Sequence, residues 1–520
     1  MRSVLTIFCT MLFCCALAQP KQPARFELEK ENTDDYFTVL PAGQDGVMVF
    51  RDTEEYKKGE GDVWKIVSLN TELEKRWEEE LAINEKYIIR GYDLINGHLY
   101  LLFREGEYSK ADYHLIRIGV LDGAIERYDI ENEVELELSH LTVMEDKIIL
   151  GGYVRFSPTL LAYTLGDDHW MVVPGFFKDK SDIVDLKSNE NGTFNAVTLE
   201  KDYTGYFLRL RTYSNVLDIL FEREIRFKED YRVLSAKTTG FVDGNIAISG
   251  SYGAPNSTYA QGIYFVVVKP QGQKNLFSYH SFADLSHFFD YMNPSRARRL
   301  KEKAKKKERG GKSYKHTTRL RLNGVQWDGI GYLITAEVYH PKFDYVSRQA
   351  TWHNYGSPYY GVNSFTNRAN SRYVKQSSRL SGVDDASSFE YYESIALHLD
   401  NKGRLLWDNS IPIDDTETLS LEQVVDVTAD SGKHHMAYLA EDKVRYQTIL
   451  QDSVLSQGEL DIKLLYDSDE IGHTYVGMGR VMNWFDDVFL IWGYHRVHNK
   501  HVPDLDPRRS VLFINKLTFE

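Results

Sequence analysis

The stretch INGHLYLLF, Ile95 to Phe103, decides the fold. Asn96-Gly97 between apolar stretches is a hairpin signal, because both residues tolerate positive φ. The five residues that follow His98 are β-formers. The same motif returns along the chain as QDGVMVF at Gln44, EDKIILGGY at Glu145, ENGTFNAV at Glu190, VDGNIAISG at Val242, WDGIGYLITA at Trp327, ADSGKHHMAYL at Ala429 and FDDVFLIWG at Phe485. The turns fall near 46, 97, 146, 192, 244, 329, 432 and 487. Five of the seven steps are close to 50 residues, and the other two contain insertions.

Within each unit the pattern is four short strands. FTVL, VMVF, WKIVSLN and KRWEEEL make the first unit; IIRGYDL, LYLLF, HLIRIG and IERYDI make the second. Amphipathic helical spacing is nearly absent. Four strands per repeat, repeated, is the mark of β-propeller blades. A string of β-sandwiches would need about seven strands per 100 residues and would not keep this step. The expectation is an all-β chain: one eight-bladed propeller of four-stranded antiparallel blades, with seven or nine blades also compatible with the spacing. The last unit, from Thr474, shows three strands. ARFELEKE, from Ala24, supplies a spare one that would close the ring and remove a sheet edge.

An aromatic recurs where the fourth strand begins: Trp77 in SLNTELEKRW, Trp407 in HLDNKGRLLW, Tyr128 in GVLDGAIERY and Phe277 in VKPQGQKNLF. This resembles the repeat of eight-bladed quinoprotein-like propellers, in which a Gly turn is followed by a docking Trp. The propeller with its acidic body and Lys-rich insertion is also similar to envelope propeller proteins of Bacteroidetes-type bacteria. The resemblance implies aromatic packing between blades, which needs no cofactor. A quinone-dependent oxidoreductase would need a calcium site and stacking residues that the sequence does not display.

The chain opens MRSVLTIFCTMLFCCALAQP, with one early cation, an apolar run and a small-x-small end. The expectation is a signal peptide over 1–18 and a mature propeller over 19–520, exported to the periplasm or outer membrane of a bacterial envelope, or otherwise extracellular. The apolar run is too short to span roughly 30 Å of hydrocarbon. All three cysteines lie inside it, so the mature chain has no disulfide, thiolate ligand or cysteine nucleophile.

The whole chain is formally −14, yet residues 295–316 carry eleven Lys/Arg and two Glu. This block belongs to a first insertion over 282–315. ADLSHFFDYM reads as a short helix. Asn293-Pro294 restarts one, and RARRLKEKAKKKER continues it to the Gly310-Gly311 stop. Only Ala297, Leu300 and Ala304 are apolar in the basic half, which reads as a solvated arm rather than a core element. Export, an acidic body and the absence of interleaved aromatics argue against nucleic acid. Arg298, Arg299, Lys305 and Lys306 are therefore candidates for an anionic membrane or protein surface, or for the protein's own acidic rim.

A second insertion over 341–389 holds Trp352, Tyr355, Tyr359 and Tyr360 among Gly, Ser and Asn, a composition suited to recognising a protein or glycan. Catalytic motifs are absent: there is no GxSxG, HExxH or P-loop. His495, His498 and His501 are spaced three apart, and only a loop would gather them on a metal. DSDEIG at Asp467 lacks the third acidic ligand and closing Glu of a calcium loop. His434 and His435 alternate on a strand and face opposite sides. The reading is a non-catalytic interaction scaffold without cofactor, its oligomeric state unspecified. The alternative is a propeller-fold glycan hydrolase or lyase with its site at the channel mouth.

Overall fold

The computed structural model describes residues 20–519, apart from 31–36, 107, 168–169, 176–180, 229, 270–274, 310–313, 344–385, 415, 431, 476 and 503–504. The expected signal peptide and Trp352, Tyr355, Tyr359 and Tyr360 lie outside the described residues.

Eight antiparallel sheets follow one another along the chain, each an antiparallel meander. They are blades 1 to 8, with meanders over 38–83, 87–130, 137–172, 182–226, 237–281, 319–412, 426–461 and 480–519. The turns do what their residues allow. Asn96 and Gly97 have φ of 50° and 70°, and Asp243 and Gly244 have 49° and 74°. Positive φ at both central residues is the geometry that lets two strands return on themselves without splaying.

The first strands of successive blades pack against each other around the centre, for example Tyr87–Ile95 on Glu137–Met144 and Asp182–Ser188 on Lys237–Val242. Carboxylates of these strands bind the next blade. Asp93 Oδ2 accepts from the Val143 N–H at 3.1 Å, Asp185 Oδ2 from the Thr238 N–H at 2.9 Å, and Asp426 Oδ2 from the Asn483 N–H at 2.8 Å.

Apolar layers fill the gaps between blades. Leu208 and Val266 belong to one layer between blades 4 and 5, and Val444 and Phe489 to another between blades 7 and 8. Because both faces of a blade are covered, its middle strands read as nearly unbroken apolar runs. Every residue of Ala260–Val268 is buried.

The spare N-terminal strand closes the ring as expected. Arg25–Glu29 pairs antiparallel with Arg508–Phe519, so the last sheet takes strands from both ends of the chain. A buried polar network fastens this joint. Glu27 Oε1 lies 2.6 Å from Arg25, and its Oε2 accepts from Arg509 at 3.3 Å. Asn515 Nδ2 donates to Gln22 Oε1 at 2.6 Å.

The first insertion differs from expectation in two respects. ADLSHFFDYM is not a helix: it is a 3-10 turn, Phe282–Asp284, followed by irregular turns. Asp408 explains this. Its two oxygens accept the Ser286 and His287 N–H groups at 3.0 and 2.8 Å, which diverts those amides from a helical ladder. The basic segment is the helix Pro294–Arg309 with Asn293 Oδ1 accepting from the Ser295 N–H at 3.0 Å, but it does not project free of the ring. Ala297 is buried and Leu300 packs against the layer formed by Phe282, Leu285, Phe288 and Phe289. Three small apolar residues suffice because Lys301 shares their face and reaches the Ser286 carbonyl at 2.7 Å and Asp290 at 3.3 Å.

Candidate functional sites on two faces of the ring

In a meander, the turns after the first and third strands lie at one face. The turn after the second strand and the connection to the next blade lie at the other. The basic helix follows the last strand of blade 5. The second insertion leaves Tyr332–Lys342 and returns at Ser388–Leu399, inside blade 6. The helix and the strand ends Lys342 and Ser388 therefore belong to the connection face.

The same face holds a narrow cleft where the segment 416–424 after blade 6 meets blades 7 and 8. Thr418, Glu422, Gln423, Glu441, Tyr475 and Arg480 line it. Glu422 and Arg480 form an ion pair. Burial lowers Arg480, and the neighbouring Arg321 lowers it further, while Tyr92, Tyr391 and Glu337 act in the opposite sense. Tyr92 belongs to blade 2, so Arg480 stands where side chains from opposite sides of the ring converge. Glu337 is fully buried beside it. Its Oε1 accepts from the Val424 and Val425 N–H groups at 2.9 and 2.8 Å, and burial pushes its carboxyl up.

The helix presents its other side to solvent. Arg298, Arg299, Lys305 and Lys306 are all exposed, as are Arg296, Lys303, Lys307 and Arg309. Arg299 and Lys306 lie opposite the docked stripe of 297, 300, 301 and 304, while Arg298 and Lys305 flank it and line a groove with Asp290 and Met292. Arg298 approaches Glu302 at 3.8 Å, and Lys303 and Lys307 stand over the Tyr314 ring, each 5.3 Å from its centre.

The turn face carries a different group. Asp328, in the first turn of blade 6, accepts the Ile330 and Gly331 N–H groups on Oδ1, both at 2.9 Å. Its Oδ2 lies 2.8 Å from His398 Nε2 and 3.2 Å from His434 Nε2. His398 comes from the third strand of blade 6, and His434 from the second strand of blade 7. Trp407 lies flat on His398, ring centres 5.1 Å apart at 7°, and 5.0 Å from His434. Burial alone would raise the Asp328 carboxyl. The His398 and His434 contacts with the two turn amides outweigh it and hold the group well below the usual carboxylate range.

Trp407 thus spans two blades, as the aromatic repeat implies. Trp77 does the same at the first junction: its Nε1 donates to the Val120 carbonyl at 2.9 Å, and a Cβ on Gly123 would sit 3.2 Å from its ring.

The other expected sites fare differently. His495, His498 and His501 are not brought together. His495 is fully buried in mid-strand against Phe513, His498 ends that strand and His501 is an exposed loop residue. Among the described residues the group of His and carboxylate side chains close enough to share a metal is Asp328, His398 and His434 instead. Asp469 of DSDEIG is a structural anion, 2.7 Å from Arg509 and from Asn499. His434 and His435 do face opposite ways: His435 stacks on Phe519 of blade 8 at 4.2 Å. Sequence reasoning missed Asp328 and His398. The Asp-Gly turn marked the first as a hairpin residue, and nothing local marked the second.

The chain matches no family model and no curated protein. Its fold is similar to several solved structures. The polysaccharide lyase Uly1 is 8% identical, with 95% of this chain and 100% of that one covered and a TM-score of 0.38. The acylaminoacyl peptidase of Pyrococcus horikoshii is 10% identical over 80% of this chain, with a TM-score of 0.35, and the chain spans about half (51%) of that protein's length. The β-propeller domain of the trilobed protease from Pyrococcus furiosus is 9% identical, with 82% and 93% covered and a TM-score of 0.35. These likenesses concern the fold alone.

Proposed function

We propose that the chain is an exported interaction scaffold of the cell envelope, and that the helix Pro294–Arg309 is the surface it offers to an anionic partner. One observation carries the reading. A helix fastened along Ala297, Leu300 and Lys301 holds a field of exposed cations at fixed positions on an otherwise acidic protein. A helix already held on the ring has no backbone freedom left to lose on meeting an anionic surface, and attraction of this kind is screened within about 8 Å at physiological salt. The test is co-sedimentation of the mature chain with vesicles of anionic and of zwitterionic phospholipid. Binding to the anionic vesicles that weakens with salt and is lost in a variant with Arg298, Arg299, Lys305 and Lys306 all changed to Glu supports the reading. Equal binding by parent and variant overturns it.

A glycan hydrolase or lyase is the second reading, and the cleft beside Arg480 favours it. Glu422, Glu441 and Gln423 offer acceptors and donors for sugar hydroxyls, and Tyr475 offers a ring. Turnover of a polysaccharide by the mature chain, abolished by Glu422→Gln, would establish it.

A further inference from the structure

We infer that Asp328, His398 and His434 form a binding site for one divalent first-row transition ion, such as zinc, that joins blade 6 to blade 7. The inference is independent of the anionic-partner reading, because the cluster lies at the opposite face.

The donor set suits such an ion. Two imidazole nitrogens and one carboxylate oxygen are ordinary zinc ligands, and three protein ligands leave a position for solvent. Tetrahedral bonds of 2.0–2.1 Å place donor atoms about 3.3 Å apart. The oxygen–nitrogen separations are 2.8 and 3.2 Å, and all three donor atoms lie within 4.8 Å of one another. Small side-chain movements therefore bring them into a coordination shell.

The surroundings orient these atoms. The two turn amides occupy Asp328 Oδ1 and leave Oδ2 to face the imidazoles. Trp407 fixes the plane of His398. Gly331 lets the turn pack closely on this strand: a Cβ there would sit 2.5 Å from the Leu399 carbonyl oxygen, 2.7 Å from His398 Cε1 and 3.0 Å from its Nε2. Gly331 is not needed for a left-handed backbone, since its φ is not positive.

The hydrogen bonding of the two rings points the same way. Both imidazoles are about 4% exposed. The two rings, from different blades, turn their Nε2 atoms to one and the same carboxylate oxygen. A shared cation gives that convergence a function, and it would tie His434 of blade 7 to Asp328 and His398 of blade 6.

The test uses the mature chain freed of metal by chelation. Zinc is titrated calorimetrically and cobalt by visible absorption. The expected result is one ion per chain, cobalt bands of mixed nitrogen and oxygen ligation, and a melting temperature that rises with zinc. Asp328→Asn and His434→Gln each weaken binding by more than about tenfold, while His435→Gln leaves it unchanged. Absence of saturable uptake at micromolar metal, or equal uptake by parent and both variants, overturns the site and leaves a hydrogen-bonded triad only. If Asp328→Asn does not fold, His434→Gln and the parent cobalt spectrum still decide.

Discussion

The Asp93 carboxylate of blade 2 accepts a hydrogen bond from the Val143 N–H of blade 3, 3.1 Å away, across the inner junction of the two sheets. Burial pushes this carboxyl up to about 6, against about 3.9 in an unfolded chain. The folded state holds the proton more tightly, so this contribution to stability is complete below pH about 4 and lost as pH rises through about 6. Two pH units correspond to about 3 kcal/mol. Asp93→Asn keeps an acceptor for Val143 without the charge. The variant should gain about 1–3 kcal/mol over the parent at neutral pH, a gain that vanishes near pH 4. Urea unfolding at both pH values measures it, and a gain independent of pH contradicts it.

His495 has the opposite sign. Among the described residues neither of its ring nitrogens has a partner, and burial pushes it down to about 3, with the Arg25 charge adding to the effect. Stability is therefore lost as pH falls below the unfolded value of about 6.5. His495→Leu removes the group that must stay neutral. Its melting temperature should fall less than the parent's between neutral pH and pH 4, as followed by calorimetry.

Trp77 and Gly123 act as a pair across blades 1 and 2. Gly123 has φ of 70°, and its missing Cβ leaves room for the indole. Gly123→Ala should cost about 1–2 kcal/mol through strain and displacement of the ring. Trp77→Ala should cost about 2–4 kcal/mol, and the double variant less than the sum. Thermal unfolding of all three completes the cycle; additive costs would mean that the two do not touch.

The closing joint is sensitive to charge. Glu27→Ala leaves Arg25 and Arg509 without their shared carboxylate at side-chain exposures of 2% and 5%. The expected cost is about 3–5 kcal/mol. Removing residues 20–29 altogether should uncover the Arg508–Phe519 edge and produce concentration-dependent association, visible by light scattering.

Phe288 distinguishes a docked helix from a free arm. It is 1% exposed, stacked on Phe282 with ring centres 4.2 Å apart, so Phe288→Ala should cost about 3–5 kcal/mol. Arg299→Ala, on the solvent side, should stay within about 0.5 kcal/mol. Equal effects would return the segment to a free arm.

The ring was legible because its determinants are local. Asn96-Gly97 and Asp243-Gly244 force positive φ on whichever strands flank them, and the 50-residue step counts the blades. ARFELEKE was legible because a chain with a three-stranded last unit must find a fourth strand or leave an edge. The helix boundary at Asn293-Pro294 was legible for the same local reason. What failed at ADLSHFFDYM was not local: Asp408, more than a hundred residues away, takes the amides a helix would use.

The sequence by itself determined the propeller, its closure and the opposed faces of His434 and His435, because turn chemistry and strand alternation act over a few residues. Only the tertiary structure decided what each face meets. Asp328 and His398 are 70 residues apart, and Asp328 and His434 are 106 apart. They converge because blade 7 stacks on blade 6 at one particular rotation. That rotation is set by the apolar layer of Leu333, Trp407, Met436 and Tyr438 between the blades, a summed packing energy that no short motif encodes.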